Sequence, residues 1–249
     1  SGGTDLDIAF SATTGGSPIT AYEYAYRVNV ENTCSAYNAN SATPYSAWAT
    51  FSGAGGHLNI AGLTNGWCYD VKIRVANLNG YSAESRASGM PVTNPGAPTI
   101  TKLTRGNGKV TVTFTSPADN GGLPIVDFEY SIDNGTTWVS GGLYSPFAIT
   151  GLTNGTQYGV ILRTKTDEGI VNSVQTYRYS VVSNSMTQTP ATVPGQTVIV
   201  GNPVAGDGFV DLDISSLTAN GGSAITSYQY STDGGTNWAL ADWAGGTSV

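Results

Sequence analysis

Charge is scarce in this sequence: only 11% of its 249 residues are Asp, Glu, Lys or Arg. Ten Lys and Arg, scattered along the chain, face seventeen Asp and Glu, for a formal net charge of −7. Nucleic-acid binders draw affinity from clustered phosphate contacts, so no nucleic-acid partner is expected, and no anionic membrane surface either. Histidine occurs once, at His57, and cysteine twice, at Cys34 and Cys68. These three cannot complete a four-ligand zinc site without carboxylates. A hydrolytic triad would need His57 as its base, and the surrounding GAGGHLNIAGL carries no catalytic motif. No apolar run approaches the ~20 residues of a membrane-spanning helix, so no membrane insertion is expected. No phosphate-binding loop or dinucleotide fingerprint occurs, because GxG pieces such as Gly106–Gly108 lie in turn sequence. No stretch carries a 3.6-residue apolar period, which leaves helices without support. The sequence therefore predicts no catalytic residues, no cofactor and no metal.

What is present is a polar, turn-rich composition with 33 Gly and 39% hydrophobic residues. That is enough apolar material for small cores, and the glycines keep no three-residue period of the collagen kind. The local period is two. Leu6, Ile8 and Phe10 alternate with Asp5, Asp7 and Ala9, and Val110, Val112 and Phe114 with Lys109, Thr111 and Thr113. Val210, Leu212 and Ile214 repeat the pattern. Such alternation puts one strand face in a core and the other in water.

These strands open a repeated unit. GGTDLDIAF (Gly2–Phe10), GNGKVTVTF (Gly106–Phe114) and GDGFVDLDI (Gly206–Ile214) are each followed by a Gly-Gly turn and a Tyr-rich strand. Those followers are GGSPITAYEYAY (Gly15–Tyr26), GGLPIVDFEYS (Gly121–Ser131) and GGSAITSYQYS (Gly221–Ser231). A second block, GLTNGWCYDVKIRV (Gly62–Val75), recurs as GLTNGTQYGVILRT (Gly151–Thr164). The period of roughly 100 residues is domain-sized. Pro-Gly linkers at Thr93–Ile100 and Thr189–Val200 suit boundaries between sheets.

With these motifs in place the chain resembles fibronectin type III domains of bacterial type, over nearly its whole length. The most specific element is LTNGxxY, at Leu63–Tyr69 and Leu152–Tyr158. The resemblance implies an all-β fold of tandem antiparallel sandwiches. It also implies that Tyr69 and Tyr158 form tyrosine corners, ring inward and hydroxyl bonded to backbone upstream. Against the family plan, residues 1–94 form a unit lacking strand A, 95–192 a complete unit, and 193–249 the first part of a third. The sequence departs from the family where strand B commonly carries Trp, having Phe10, Phe114 and Ile214 instead.

The units differ in their loops. Trp48 follows Tyr24 by 24 residues, whereas Trp138 follows Tyr130, and Trp238 follows Tyr230, by 8. The first unit thus has an insertion within Val28–Ala47, after strand C. The second is extended within Asp167–Met186. Loops on a rigid scaffold are where contacts are made, so Tyr37, Tyr45, Tyr177 and Tyr179 become candidate contact residues. Strand C neighbours strand F in the family plan, so the insertion can fold back and join Cys34 to Cys68 in a disulfide. Asp5 with Asp7, and Asp211 with Asp213, share strand faces and could bind Ca²⁺ or serve as a glycosidase pair, but a solvated polar face is the expected role. Trp48, Trp138 and Trp238 could stack on sugars but suit strand-end packing better. Asn134-Gly-Thr and Asn154-Gly-Thr match a glycosylation sequon within ordinary turn sequence.

Repetition without a catalytic site leads to the expectation of a structural or spacer array, outside the cell or on a cell or virion surface. The partners would be neighbouring copies or other protein subunits, as in a fibre, surface layer, adhesin stalk or phage appendage. The alternatives are an accessory, glycan-contacting region of a secreted polysaccharide-degrading enzyme, and a ligand-binding adhesin.

Overall fold

The computed structural model describes residues 3–31, 34, 37, 42–171, 173–214 and 219–241. They form an all-β fold of several antiparallel sheets, with a single 3-10 turn at Ala54–Gly56 among the described residues.

The first repeat contains β1 (Leu6–Ala9), β2 (Ala21–Val28), β3 (Ala49–Thr50), β4 (His57–Ile60), β5 (Tyr69–Asn77), β6 (Gly80–Tyr81) and β7 (Ser85–Gly89). β1 pairs with β4, setting Leu6 opposite Ile60 and Ile8 opposite Leu58. A second sheet runs β3-β2-β5-β6, with β7 also on β5. Leu6, Leu58 and Ile60 of one sheet join Tyr69, Val71 and Ile73 of the other in one buried cluster. Two sheets that bury a common apolar layer make a sandwich, and each such side chain contributes ~1.5–3 kcal/mol on burial. Phe10 meets Phe51 edge-on with centroids 5.4 Å apart.

The second repeat contains β8 (Thr99–Gly106), β9 (Lys109–Thr115), β10 (Ile125–Ser131), β11 (Val139–Ser140), β12 (Phe147–Thr150), β13 (Tyr158–Val171), β14 (Val174–Tyr179) and β15 (Met186–Gln188). Its sheets run β12-β9-β8 and β11-β10-β13-β14, with β15 also on β13. Val110, Val112 and Phe114 are buried while Lys109 between them and the turn is exposed, as the alternation requires. Phe147 of the first sheet stacks on Tyr130 of the second at 5.6 Å. The extra length of this repeat is the β13–β14 hairpin, whose register shifts between Asp167 and Gly169.

Among its described residues the third repeat contributes β16 (Val204–Ala205) with β17 (Val210–Asp211), and β18 (Gln229–Tyr230) with β19 (Ala239–Leu240). Here the expected core face is corrected in part. Ile214 is buried, but Val210 is 56% exposed.

Hydrogen-bonded sheets stay within sequence repeats. By proximity the chain gathers into two compact units. One holds Ser1–Pro98, Ser116–Glu129 and Arg163–Val182; the other holds Thr99–Thr115, Tyr130–Leu162 and Ser183–Val249.

Candidate functional site: ion-pair faces and repeat joints

The outward residues of β2 and β5 are charged because their alternate neighbours fill the core. Arg74 Nη2 lies 2.7 Å from Glu23 Oε2 across the two strands. The second repeat places Arg163 Nη2 2.6 Å from Glu129 Oε2 at the same repeat positions. Aromatic rings lie over the cations. The Arg74 guanidinium sits 3.9 Å from the Trp48 and Tyr81 ring centres, and Lys72 Nζ sits 4.5 Å from Tyr45 and Trp48. In the second repeat Arg163 meets Tyr179 at 4.1 Å and Lys165 meets Tyr177 at 4.2 Å. Tyr37 has Arg86 at 5.0 Å and Arg27 at 5.8 Å from its ring centre, so all four candidate contact tyrosines lie against cations of the neighbouring strands. The sequence reading missed Arg27, Lys72, Arg86, Arg163 and Lys165 as their partners. The spacing of two in Asp70, Lys72 and Arg74 was the available signal.

Beneath the insertion lies a buried pair. Asp70 accepts from Arg27 Nε at 3.2 Å and from Ser88 Oγ at 2.8 Å. Cys34 and Cys68 form a disulfide with Cα atoms 5.5 Å apart. Tyr45 Oη donates to Tyr37 Oη at 3.0 Å. Burial first, and then that bond, raise the Tyr45 phenol above its ordinary 10. Residues 32–33, 35–36 and 38–41 of the insertion lie outside the described residues.

The LTNGxxY tyrosines bond upstream backbone. Tyr69 Oη accepts from Thr64 N–H at 2.9 Å, and Tyr158 Oη from Thr153 N–H at 3.1 Å.

A second recurring feature joins consecutive repeats. Within the first compact unit the LTNG turn backs onto the next Gly-Gly turn. A Cβ on Gly122 would stand 2.3 Å from the Gly66 nitrogen. Gly66 N–H donates to Pro91 O at 3.0 Å, Thr93 N–H to Gly121 O at 3.0 Å, and Gly96 N–H to Asp119 O at 2.9 Å. Within the second unit the same set recurs. Gly155 N–H donates to Pro190 O at 3.0 Å, Thr192 N–H to Gly221 O at 2.8 Å, and Gly195 N–H to Ala219 O at 2.7 Å. A Cβ on Gly222 would stand 2.3 Å from the Gly155 nitrogen. Backbone presses on backbone at both places, which only glycine permits.

The remaining candidates are dispersed. His57 Nδ1 lies 3.3 Å from Asp7 Oδ1, and both side chains are about half exposed. Among the described residues no three His, Cys, Asp or Glu come close enough to hold a metal ion. Trp48, Trp138 and Trp238 each directly precede a short strand, the first two half-buried and Trp238 exposed. The sequon residue Asn154 uses its amide locally, accepting from Gly108 N–H at 2.9 Å and donating to Asn107 Oδ1 at 2.8 Å. No helix among the described residues is long and apolar enough to cross a membrane. The disulfide suits an oxidising compartment. No family model matches the chain.

Proposed function

We propose that this chain is a non-enzymatic structural array, a spacer of tandem fibronectin type III-like sandwiches in an extracellular assembly. Such an assembly is a fibre, surface layer, adhesin stalk or phage appendage, and the partners are neighbouring copies or other subunits. The observation that carries this reading is the joint between repeats, made twice with the same backbone bonds. A spacer has to hold one module against the next, whereas a tether has only to connect them. The Pro-Gly linkers alone would suit either role.

The aromatic residues favour this reading over the glycan-contacting one. Trp48, Tyr81, Tyr177 and Tyr179 already use ring faces on cations of their own sheets. Nuclear spin relaxation separates spacer from tether. Order parameters at Thr93, Gly96, Thr192 and Gly195 should approach the ~0.85 of rigid backbone, and values below ~0.6 would favour a tether. Retention of the chain on insoluble polysaccharide, lost in Trp67→Ala, would favour the accessory-enzyme reading, because Trp67 is 48% exposed.

A further inference from the structure

Seven Asn-Gly steps occur in the sequence. Such a step can rearrange without an enzyme, because no Cβ shields the glycine nitrogen from the asparagine side chain. The deprotonated nitrogen attacks Cγ, so a hydrogen bond that holds the N–H proton in place suppresses the reaction. Six of the seven glycines are held in this way. Gly66, Gly108, Gly135 and Gly155 donate to Pro91 O, Asn154 Oδ1, Ser131 Oγ and Pro190 O at 2.8–3.0 Å. Gly80 faces Asn77 in the β5–β6 ladder, two residues along from the Ser82 N–H to Val75 O bond, so it too stands at a hydrogen-bonded position. Gly121 donates to Asp119 Oδ1 at 2.8 Å. Among the described residues the Gly221 N–H has no acceptor.

The Gly-Gly turns of the two joints differ in little else. φ is 70° and 85° at Gly121 and Gly122, and 71° and 85° at Gly221 and Gly222. Asn120 Oδ1 accepts from Gly122 N–H at 3.0 Å, and Asn220 Oδ1 from Gly222 N–H at 2.9 Å. That bond keeps the side-chain carbonyl turned toward the downstream backbone, and it supplies a donor for the charge that develops on the oxygen during attack. Both asparagines are exposed, so access of solvent does not separate them. The turns part at one residue. Where the first has Asp119, the second has Ala219, whose side chain offers no acceptor.

We propose that Asn220 is a self-modification site, and that Asp119 protects Asn120 from the same change. Solvent base removes the Gly221 amide proton, the nitrogen bonds to Asn220 Cγ, and the Cγ–Nδ2 bond breaks to release ammonia. Water then opens the five-membered imide at either carbonyl. The product is aspartate, or an isoaspartyl link whose main chain is one carbon longer. No oxidant or reductant takes part. The link lies between Ala219 O and Gly221 O, which accept from Gly195 N–H and Thr192 N–H in the second joint. A longer main chain there, with a new negative charge, moves one acceptor relative to the other and releases the linker. The chemistry goes beyond the array reading. Flexible joints would sink that reading and leave the comparison of Asn220 with Asn120 standing.

The test incubates the full chain at mildly alkaline pH, folded and in guanidinium, and follows the Asn-Gly peptides by mass spectrometry after digestion. One pKa unit on an amide changes its reactive anion tenfold, so folded Asn220 should convert roughly tenfold or more faster than Asn120. In guanidinium the gap should close, because the turn bonds are gone. Ala219→Asp should slow folded Asn220 to the rate of Asn120, and Asp119→Ala should raise Asn120 to that of Asn220. In the converted chain the Thr192 and Gly195 amides should exchange faster, with Thr93 unchanged. Equal rates for the two asparagines in the folded chain overturn the proposal. So does an Asn220 rate untouched by Ala219→Asp, a gap that persists in guanidinium, or unchanged Thr192 exchange after conversion.

Discussion

Asp133 shows how one side chain fixes a turn. Its carboxylate accepts from Ser131 Oγ at 2.6 Å, Thr137 Oγ1 at 2.5 Å and Thr137 N–H at 2.9 Å. The Ser131 bond first, then those from Thr137, lower its pKa from 3.8 to about 2. Asp233 repeats the arrangement with Asn237 and Ser231, and also falls to about 2. A carboxyl whose folded pKa is depressed stabilises the fold fully above its unfolded pKa and loses that contribution as pH falls through the folded one. Both turns should therefore persist at pH 3, and Asp133 should titrate by carbon NMR near 2. Ser131→Ala should raise that midpoint, and a wild-type midpoint at 3.8 would contradict the assigned bonds. At Asp70 the issue is burial. Asp70→Ala leaves the Arg27 guanidinium without its carboxylate beneath the insertion. Removing one member of a buried pair costs ~3–5 kcal/mol, to be read from guanidinium unfolding of the full chain. Tyr69→Phe removes the acceptor for Thr64 N–H and should cost ~1 kcal/mol.

Among the elements, the inserted segment of the first repeat depends on its staple. The disulfide closes a loop with a sequence separation of 34. In the loop-entropy model this contributes ~3–4 kcal/mol, so a Cys34→Ser, Cys68→Ser variant should unfold correspondingly earlier. Thiol titration of the denatured, unreduced chain should find no reactive thiol, and two per chain would contradict the bridge. This pairing was legible in the sequence, because the only repeat with the insertion is also the only one with cysteines. The strands of the first two repeats were legible for a simpler reason: Leu6 with Ile8 and Val110 with Val112 alternate with polar residues, and alternation is local. The third repeat was less so. Val210 has the same alternating pattern and is nevertheless exposed, because alternation says which side chains share a face and not how far that face is buried. The cation-aromatic faces were half legible. Tyr37, Tyr45, Tyr177 and Tyr179 stood out, but which cations of the neighbouring strands lie under them depends on strand pairing. The joints were not legible as contacts, since Gly121-Gly122 reads as a turn whether or not Gly66 lies behind it.

Across the whole chain, the account rests on those two joints. They combine a Pro-containing linker, an LTNG turn and the next Gly-Gly turn, with matching donors and acceptors. Such matching is the physical content of the spacer reading, since a backbone-to-backbone contact tolerates no added side chain. The most direct measurement is hydrogen exchange at Thr93 and Thr192 in the full chain and in Gly122→Val and Gly222→Val. The account predicts that both amides are protected like strand amides in the wild type. It predicts further that Gly122→Val frees Thr93 alone and Gly222→Val frees Thr192 alone. Rapid exchange of both amides in the wild type, or protection unchanged by the valines, would contradict it.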